Sequence, residues 1–301
     1  MVYLRCDFHA FFCFLYFMKK NIVLSLILLS VVFQPALAQR KSKLNTNGQG
    51  TLFAQVGYNR SAYSNSNVAL NGNNYDLVLN NTIIKDNLEG KGMGSFLSSS
   101  SPQISIKLGY FIKPKWALTL GFDRYNTFFE NNQTVGLEGT FAPEGHSNFS
   151  GAVNEDILLT RDQFNIEQSG GINFFSIGVQ RNDQHFKSRK AEFAFHTLYG
   201  IQVGPLLTQV DYTYDGFTAP GVSSLSGIGA AANIGIRLQF MQYIYLQLEL
   251  EGGILNQNNI KLSSNGSTTG KQVVGFISPS VHLGFNILAG SKDKCGTCPQ
   301  W

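Results

Sequence analysis

His146 and Ser147 stand side by side, with Glu144, Glu155 and Asp156 close by in the chain. An imidazole within reach of a hydroxyl, oriented by a carboxylate, is the equipment of acyl transfer or hydrolysis. These residues fall in a polar, Asn- and Gly-rich stretch, where their adjacency needs no chemistry to explain it. No catalytic residue is therefore assigned, and His146 with Ser147 is kept as the alternative. Cys295 and Cys298 form a CxxC in the tail CGTCPQW. A redox motif would need a thioredoxin-like βαβ setting, and a zinc site two more soft ligands, neither of which is evident. A small terminal disulfide or a contact handle is the reading left, and no metal or other cofactor is expected. The third group is larger: Lys107, Asp123, Glu192, His196, Arg237, Glu249, Glu251 and His282 all fall on the polar faces of alternating segments.

That alternation is clearest over residues 225–256. Ile228, Ala230, Ala232, Ile234, Ile236, Leu238 and Phe240 alternate with Gly229, Ala231, Asn233, Gly235, Arg237 and Gln239. After Met241-Gln242, Ile244, Leu246, Leu248 and Leu250 alternate with Tyr243, Tyr245, Gln247, Glu249 and Glu251. A period of two is a strand signal, and the short break makes a hairpin. Soluble strands are usually about five or six residues long, whereas transmembrane strands need about nine to eleven. The fold class predicted is all-β: a transmembrane, antiparallel, up-and-down barrel.

Similar alternation begins near Leu52, Ile104, Trp116, Phe175, Phe193 and Val273, which gives eight strands. Short links at 113–115, 182–190 and 241–242 alternate with long ones at 63–101, 126–162, 209–222 and 257–270. An even barrel with both termini on the short-turn, periplasmic side requires this order. YDLVLNNTII (75–84) also looks strand-like, and is placed in the first external loop because one extra span would reverse the alternation. Ten strands result if it and TVGLEGTF (134–141) both join the wall. The long loops are rich in Asn, Gly and Ser and are expected to be solvated, without a core, and suited to polar recognition of a ligand such as a sugar.

Met18, Lys19-Lys20, the run IVLSLILLSVVF and Ala36-Leu37-Ala38 follow the grammar of an export signal. The expected organisation is a leader over 1–38, of which 18–38 is the signal peptide and the first 17 residues a misassigned start. A short segment over 39–49, a barrel over 50–288 and a periplasmic tail over 289–301 follow. Charged residues are 14% of the chain, below the roughly 25% of soluble domains. The formal charge is +4, of which Arg5, Lys19 and Lys20 against Asp7 account for +2. The remainder is too weak and scattered for nucleic acid. Cys6 and Cys13 belong to the leader, so the body has no disulfide framework.

GYNRSAYSNS (57–66), NYDLVLNNTIIKD (74–86), LGYFIKPKWALTLGFD (108–123) and the CGTCPQW tail carry a resemblance to the small outer-membrane β-barrel proteins widespread in Bacteroidetes. The resemblance implies a Gram-negative outer-membrane location, contact with outer-membrane lipid and the barrel-assembly machinery, and an undefined molecular activity. His146-Ser147 also resembles the His and Ser of lipid A deacylases, but lacks that family's intervening residue. In an eight-stranded barrel the interior is only wide enough for side chains to fill. The polar-face charges are therefore expected to form a hydrogen-bonded plug, with Asp123 opposite Ser105 and in contact with Lys107. The expected function is non-enzymatic, structural or surface recognition through the loops. The alternatives are a lipid-modifying enzyme of the lipid A deacylase kind and a narrow channel for small solutes.

Overall fold

The computed structural model describes residues 48–86, 103–144, 146, 148–188, 192–241 and 243–288. The signal peptide, Ser147, and the tail with Cys295 and Cys298 lie outside the described residues. Fifteen strands follow one another: β1 (Thr51–Asn59), β2 (Ala62–Tyr63), β3 (Ser66–Gly72), β4 (Tyr75–Thr82), β5 (Ile84–Asp86), β6 (Ile104–Lys113), β7 (Trp116–Tyr125) and β8 (Thr127–Phe129). Then come β9 (Gln133–Phe141), β10 (Gly151–Leu159), β11 (Phe164–Lys187), β12 (Phe193–Tyr214), β13 (Phe217–Phe240), β14 (Ile244–Lys261) and β15 (Thr269–Leu288).

Eight of them close a ring, in the order β1, β6, β7, β11, β12, β13, β14, β15. Antiparallel pairing of β1 with β15, from Thr51↔Leu288 to Asn59↔Ser280, seals the circle. Closure gives every wall strand a partner on both sides, which lipid demands of backbone that it cannot hydrogen-bond. The ten-strand alternative is not realised, because β4 and β9 pair with each other away from the ring. Both ends of the ring sequence, Thr51 and Leu288, lie at the end that carries the short turns. One of these turns is Pro114-Lys115, with Lys115 at φ 71° and Lys113 paired to Trp116. Proline first and positive φ second is the pattern of a type II turn.

The wall's outer face is an apolar band. Leu246, Leu248 and Leu250 are exposed, and Gln247 and Glu249 between them are buried. Neighbouring strands continue the band through Ile234 and Ile236, Val281 and Leu283, Ile106 and Leu108, and Leu118 and Leu120. Aromatic side chains mark its short-turn edge, with Tyr110, Trp116, Phe240 and Phe285 all exposed. Rings of this type favour the level of lipid headgroups. The chain is a transmembrane β-barrel.

Strands β11 to β14 are 24, 22, 24 and 18 residues long, well beyond a membrane span. Most of the links expected at 209–222 and 257–270 are therefore the far ends of wall strands, and the true links shrink to Asp215-Gly216 and residues 262–268. β12 and β13 meet in a two-residue turn, Asp215-Gly216, with φ 47° and 80°. Two positive φ values make a type I′ turn, whose twist matches that of the strands, and Asp-Gly is a favoured pair for it.

Along these strands the two faces exchange character. Outward residues of β12 run Ile201, Val203, Pro205, Leu207 and then Gln209, Asp211, Thr213. Its inward residues run His196, Gln202 and then Leu206, Val210, Tyr212. On β14 the outward change falls between Ile254 and Asn256. Past that level the surroundings are water, so the apolar side must turn inward.

What it turns onto is a folded head. β3 pairs with the upper part of β15, β4 with β3, β9 with β4 and β10 with β9. Val68, Leu70, Leu77, Leu79, Val135, Leu137, Ile157 and Leu159 from these strands bury against Phe164, Ile166, Val210 and Ile260 of the wall. The expectation that the loops at 63–101 and 126–162 are solvated and coreless is thus corrected for their described parts. Their average composition is polar, but the apolar residues recur every second position and share one face.

Candidate functional site

The charged residues singled out from the sequence meet inside the ring. Parity fixes this, because residues facing away from lipid in a closed barrel must face the lumen. Lys107, Asp123, His196, Arg237, Glu249, Glu251 and His282 are all buried, none more than 6% exposed. Glu192 is the exception: it is exposed on the turn before β12. The strand starts one residue after Glu192, since pairing of β12 begins at Phe193.

The middle of the lumen is a hydrogen-bonded ion pair. Lys107 Nζ lies 2.7 Å from Glu249 Oε1. The same carboxylate accepts from Asn233 Nδ2 at 2.6 Å and, through Oε2, from Gln247 Nε2 at 2.6 Å. Glu251 accepts from the Tyr125 hydroxyl at 2.8 Å. Asp123 is opposite Ser105 in register, as the hairpin pairing predicts, but its hydrogen bond to a side-chain amide comes from Gln202 Nε2 at 3.5 Å. Lys107 makes its salt bridge with Glu249, across the lumen, and interacts with Asp123 electrostatically rather than through a salt bridge. A lysine stem reaches across a narrow lumen as easily as along its own hairpin, and only closure reveals the facing wall. His282 Nε2 and Ser105 Oγ are 2.9 Å apart, a further link across the β1 strand.

Toward the short-turn end, Arg237 is fully buried. Its Nε donates to Gln247 Oε1 at 2.9 Å, and its guanidinium stacks 3.8 Å from the Tyr245 ring centroid and 5.0 Å from that of Phe53. A cation held between desolvated rings is attracted to their faces. The two rings lie flat over glycines of the next strand. A Cβ on Gly109 would come within 2.1 Å of Phe53, and one on Gly284 within 2.2 Å of Tyr245. Phe111 and Ala117 complete this lower apolar layer. Toward the head the polar network is followed by Ile172, Phe174, Leu206, Ala231, Leu255 and Phe276, packed with Tyr125. The upper layer and Tyr125 were not singled out from the sequence. A change of inward polarity partway up β12 and β14 is the signal that marks it.

His146 is not in the lumen. It is buried in the head, with its ring 5.2 Å from Phe164, 4.9 Å from Phe149 and edge-on to Tyr214 at 5.3 Å. Its Nδ1 accepts the Asn148 amide at 3.1 Å, and Nε2 lies 3.8 Å from Asp215 Oδ1. Burial lowers its pKa below the ordinary histidine value, against a weaker pull from Asp215. Ser147 lies outside the described residues, and Glu155 and Asp156 are exposed on β10. Among the described residues no cluster of His, Cys, Asp or Glu could hold a metal ion.

No family model matches the sequence, and no curated protein matches it. Among solved structures the chain is similar to the N-terminal β-barrel domain of Pseudomonas aeruginosa OprF, with 10% identity over 80% of this chain and 99% of that one and a TM-score of 0.31. OprG of the same organism gives 11% identity over 81% and 99%, at 0.33. The outer membrane protein AlkL gives 12% identity over 83% and 95%, at 0.34. At these values no residue and no activity carries over.

Proposed function

We propose that this chain is a non-enzymatic outer-membrane β-barrel protein of a Gram-negative cell, serving a structural or surface-recognition role. Its barrel is an anchor with a plugged polar lumen, and its head stands outside the cell. The observation that carries this reading is the filling of the lumen in layers: Phe53, Tyr245 and Arg237, then the Lys107–Glu249 network, then Phe174, Leu206 and Phe276. Seven charged or ionisable side chains inside the ring are almost completely buried. A solute path would need them hydrated. Short turns and both ring ends at one side support a periplasmic placement of that side, as in bacterial barrels. The partners proposed are outer-membrane lipid, the assembly machinery that inserts barrels, and an extracellular ligand on the head.

The enzyme alternative draws no support from His146, whose ring is enclosed by Phe164, Phe149 and Tyr214 rather than open to a lipid substrate. Purified protein in planar lipid bilayers is the test of the plug. The expected trace shows no unitary conductance in potassium chloride at moderate voltage. Regular open steps from the parent protein would overturn the anchor reading in favour of the channel.

A further inference from the structure

Three hairpin tips meet at the pole of the head opposite the short turns. They are the β3–β4 turn at Asn73-Asn74, the β12–β13 turn at Asp215-Gly216, and residues 262–268 between β14 and β15. Together they enclose an open bowl of about 330 Å³. This lies at the lower end of the volumes usual for small-molecule sites.

Its floor is aromatic and hydroxylated. The Tyr75 and Tyr212 hydroxyls are 2.7 Å apart, and Thr268 hydrogen-bonds Tyr75. Tyr214 stacks on Tyr75 with centroids 4.3 Å apart and an angle of 19°. Burial raises all three phenols above the ordinary tyrosine range, so each keeps its proton, and in the Tyr75–Tyr212 pair one hydroxyl donates to the other. The rim carries Asn73, Asn74, Thr218 and Ser263, together with Phe217. Phe217 is 81% exposed, directly after the tight turn. No charged side chain lines the bowl among the described residues.

We propose that the bowl binds an uncharged saccharide, resting on the surface-recognition reading above. A sugar ring offers an apolar C–H face, which suits the exposed Phe217 ring. Its hydroxyl edge offers both donors and acceptors, which suits side-chain amides and hydroxyls that do both. Tyr, Asn and Ser are also the residues that build adaptable polar recognition surfaces at low entropic cost. An anionic ligand would find no cation here. An extended peptide would look for an open strand edge, and all three tips are closed hairpins.

Full-length protein in lipid nanodiscs, applied to a printed array of neutral, sialylated and sulfated oligosaccharides beside a peptide set, tests the proposal. Neutral glycans should be retained. Phe217→Ala should weaken that binding by about tenfold, the scale of one well-placed ring contact, and Asn74→Ala by about threefold to tenfold, the scale of one hydrogen bond. Asn258→Ala, on the outer side of β14 and away from the bowl, should leave it unchanged. Both bowl substitutions are at exposed positions, and heat-modifiable gel migration checks that each variant still folds. Retention of no glycan, of anionic glycans alone or of peptides instead would overturn the proposal, as would binding indifferent to Phe217→Ala and Asn74→Ala. Failure here with a silent bilayer trace removes the bowl alone, whereas a conducting parent removes the plugged anchor and leaves the glycan result to stand separately.

Discussion

Lys107 is the residue on which the lumen's charges depend, because Glu249, Glu251 and Asp123 all surround it. Lys107→Met leaves these carboxylates without their nearest cation, and breaking a buried pair from one side costs about 3–5 kcal/mol. Lys107→Met combined with Glu249→Gln should cost less than Lys107→Met alone, since the amide no longer needs a cation. Urea unfolding in lipid vesicles measures both. Equal losses for the single and double variants would mean that the 2.7 Å contact does not couple the two residues. In the head, His146 predicts a pH effect. Its folded pKa is lowered by burial, so the unfolded chain binds a proton that the folded head refuses. The stabilising share is complete above about pH 6.5 and declines as pH falls through that value toward the lower folded pKa. The head of the parent should therefore lose more protease resistance between pH 7.5 and 5.5 than that of His146→Phe. An identical loss in the two would contradict the neutral, buried ring.

At the scale of elements, β14 separates two environments on alternate residues. Leu248 is 44% exposed and Glu249 6%. Lysine facing lipid near the midplane costs about 2–4 kcal/mol. Leu248→Lys and Leu246→Lys should both depress refolding yield into vesicles, and Glu249→Gln should be milder. Wild-type yields from both lysine variants would mean that this face does not meet lipid. The eight wall strands were legible in the sequence because lipid on one side and a polar lumen on the other enforce a clean period of two. The head was not. Val210, Tyr212, Ile260 and Leu262 keep the period, but their inward face is apolar where the same strands are polar lower down. A pattern that inverts midway resembles the end of a strand, which makes the wall residues within 209–222 and 257–270 look like links in the sequence. The partner of Lys107 was illegible for a different reason. Register along a hairpin follows from its turn, whereas contact across the lumen follows from closure of the whole ring.

For the whole molecule, the wall crosses an apolar solvent and then continues into water without a break in its strands. The outward face of β14 should therefore report two media in succession: lipid at Ile244, Leu246, Leu248, Leu250 and Ile254, then water at Asn256 and Asn258. Its inward face, at Tyr245, Gln247, Glu249, Glu251 and Leu255, is buried. A nitroxide scan of single cysteines along residues 244–258 in lipid bilayers reads this directly. The background for the scan lacks Cys295 and Cys298. High collision rates with oxygen are expected at 244, 246, 248, 250 and 254, with a switch to a water-soluble nickel complex at 256 and 258. Access to either reagent should be low at the odd positions. Nickel access throughout 244–254 at the even positions, or strong nickel access at 247 and 249, would contradict a lipid-facing wall around a filled lumen.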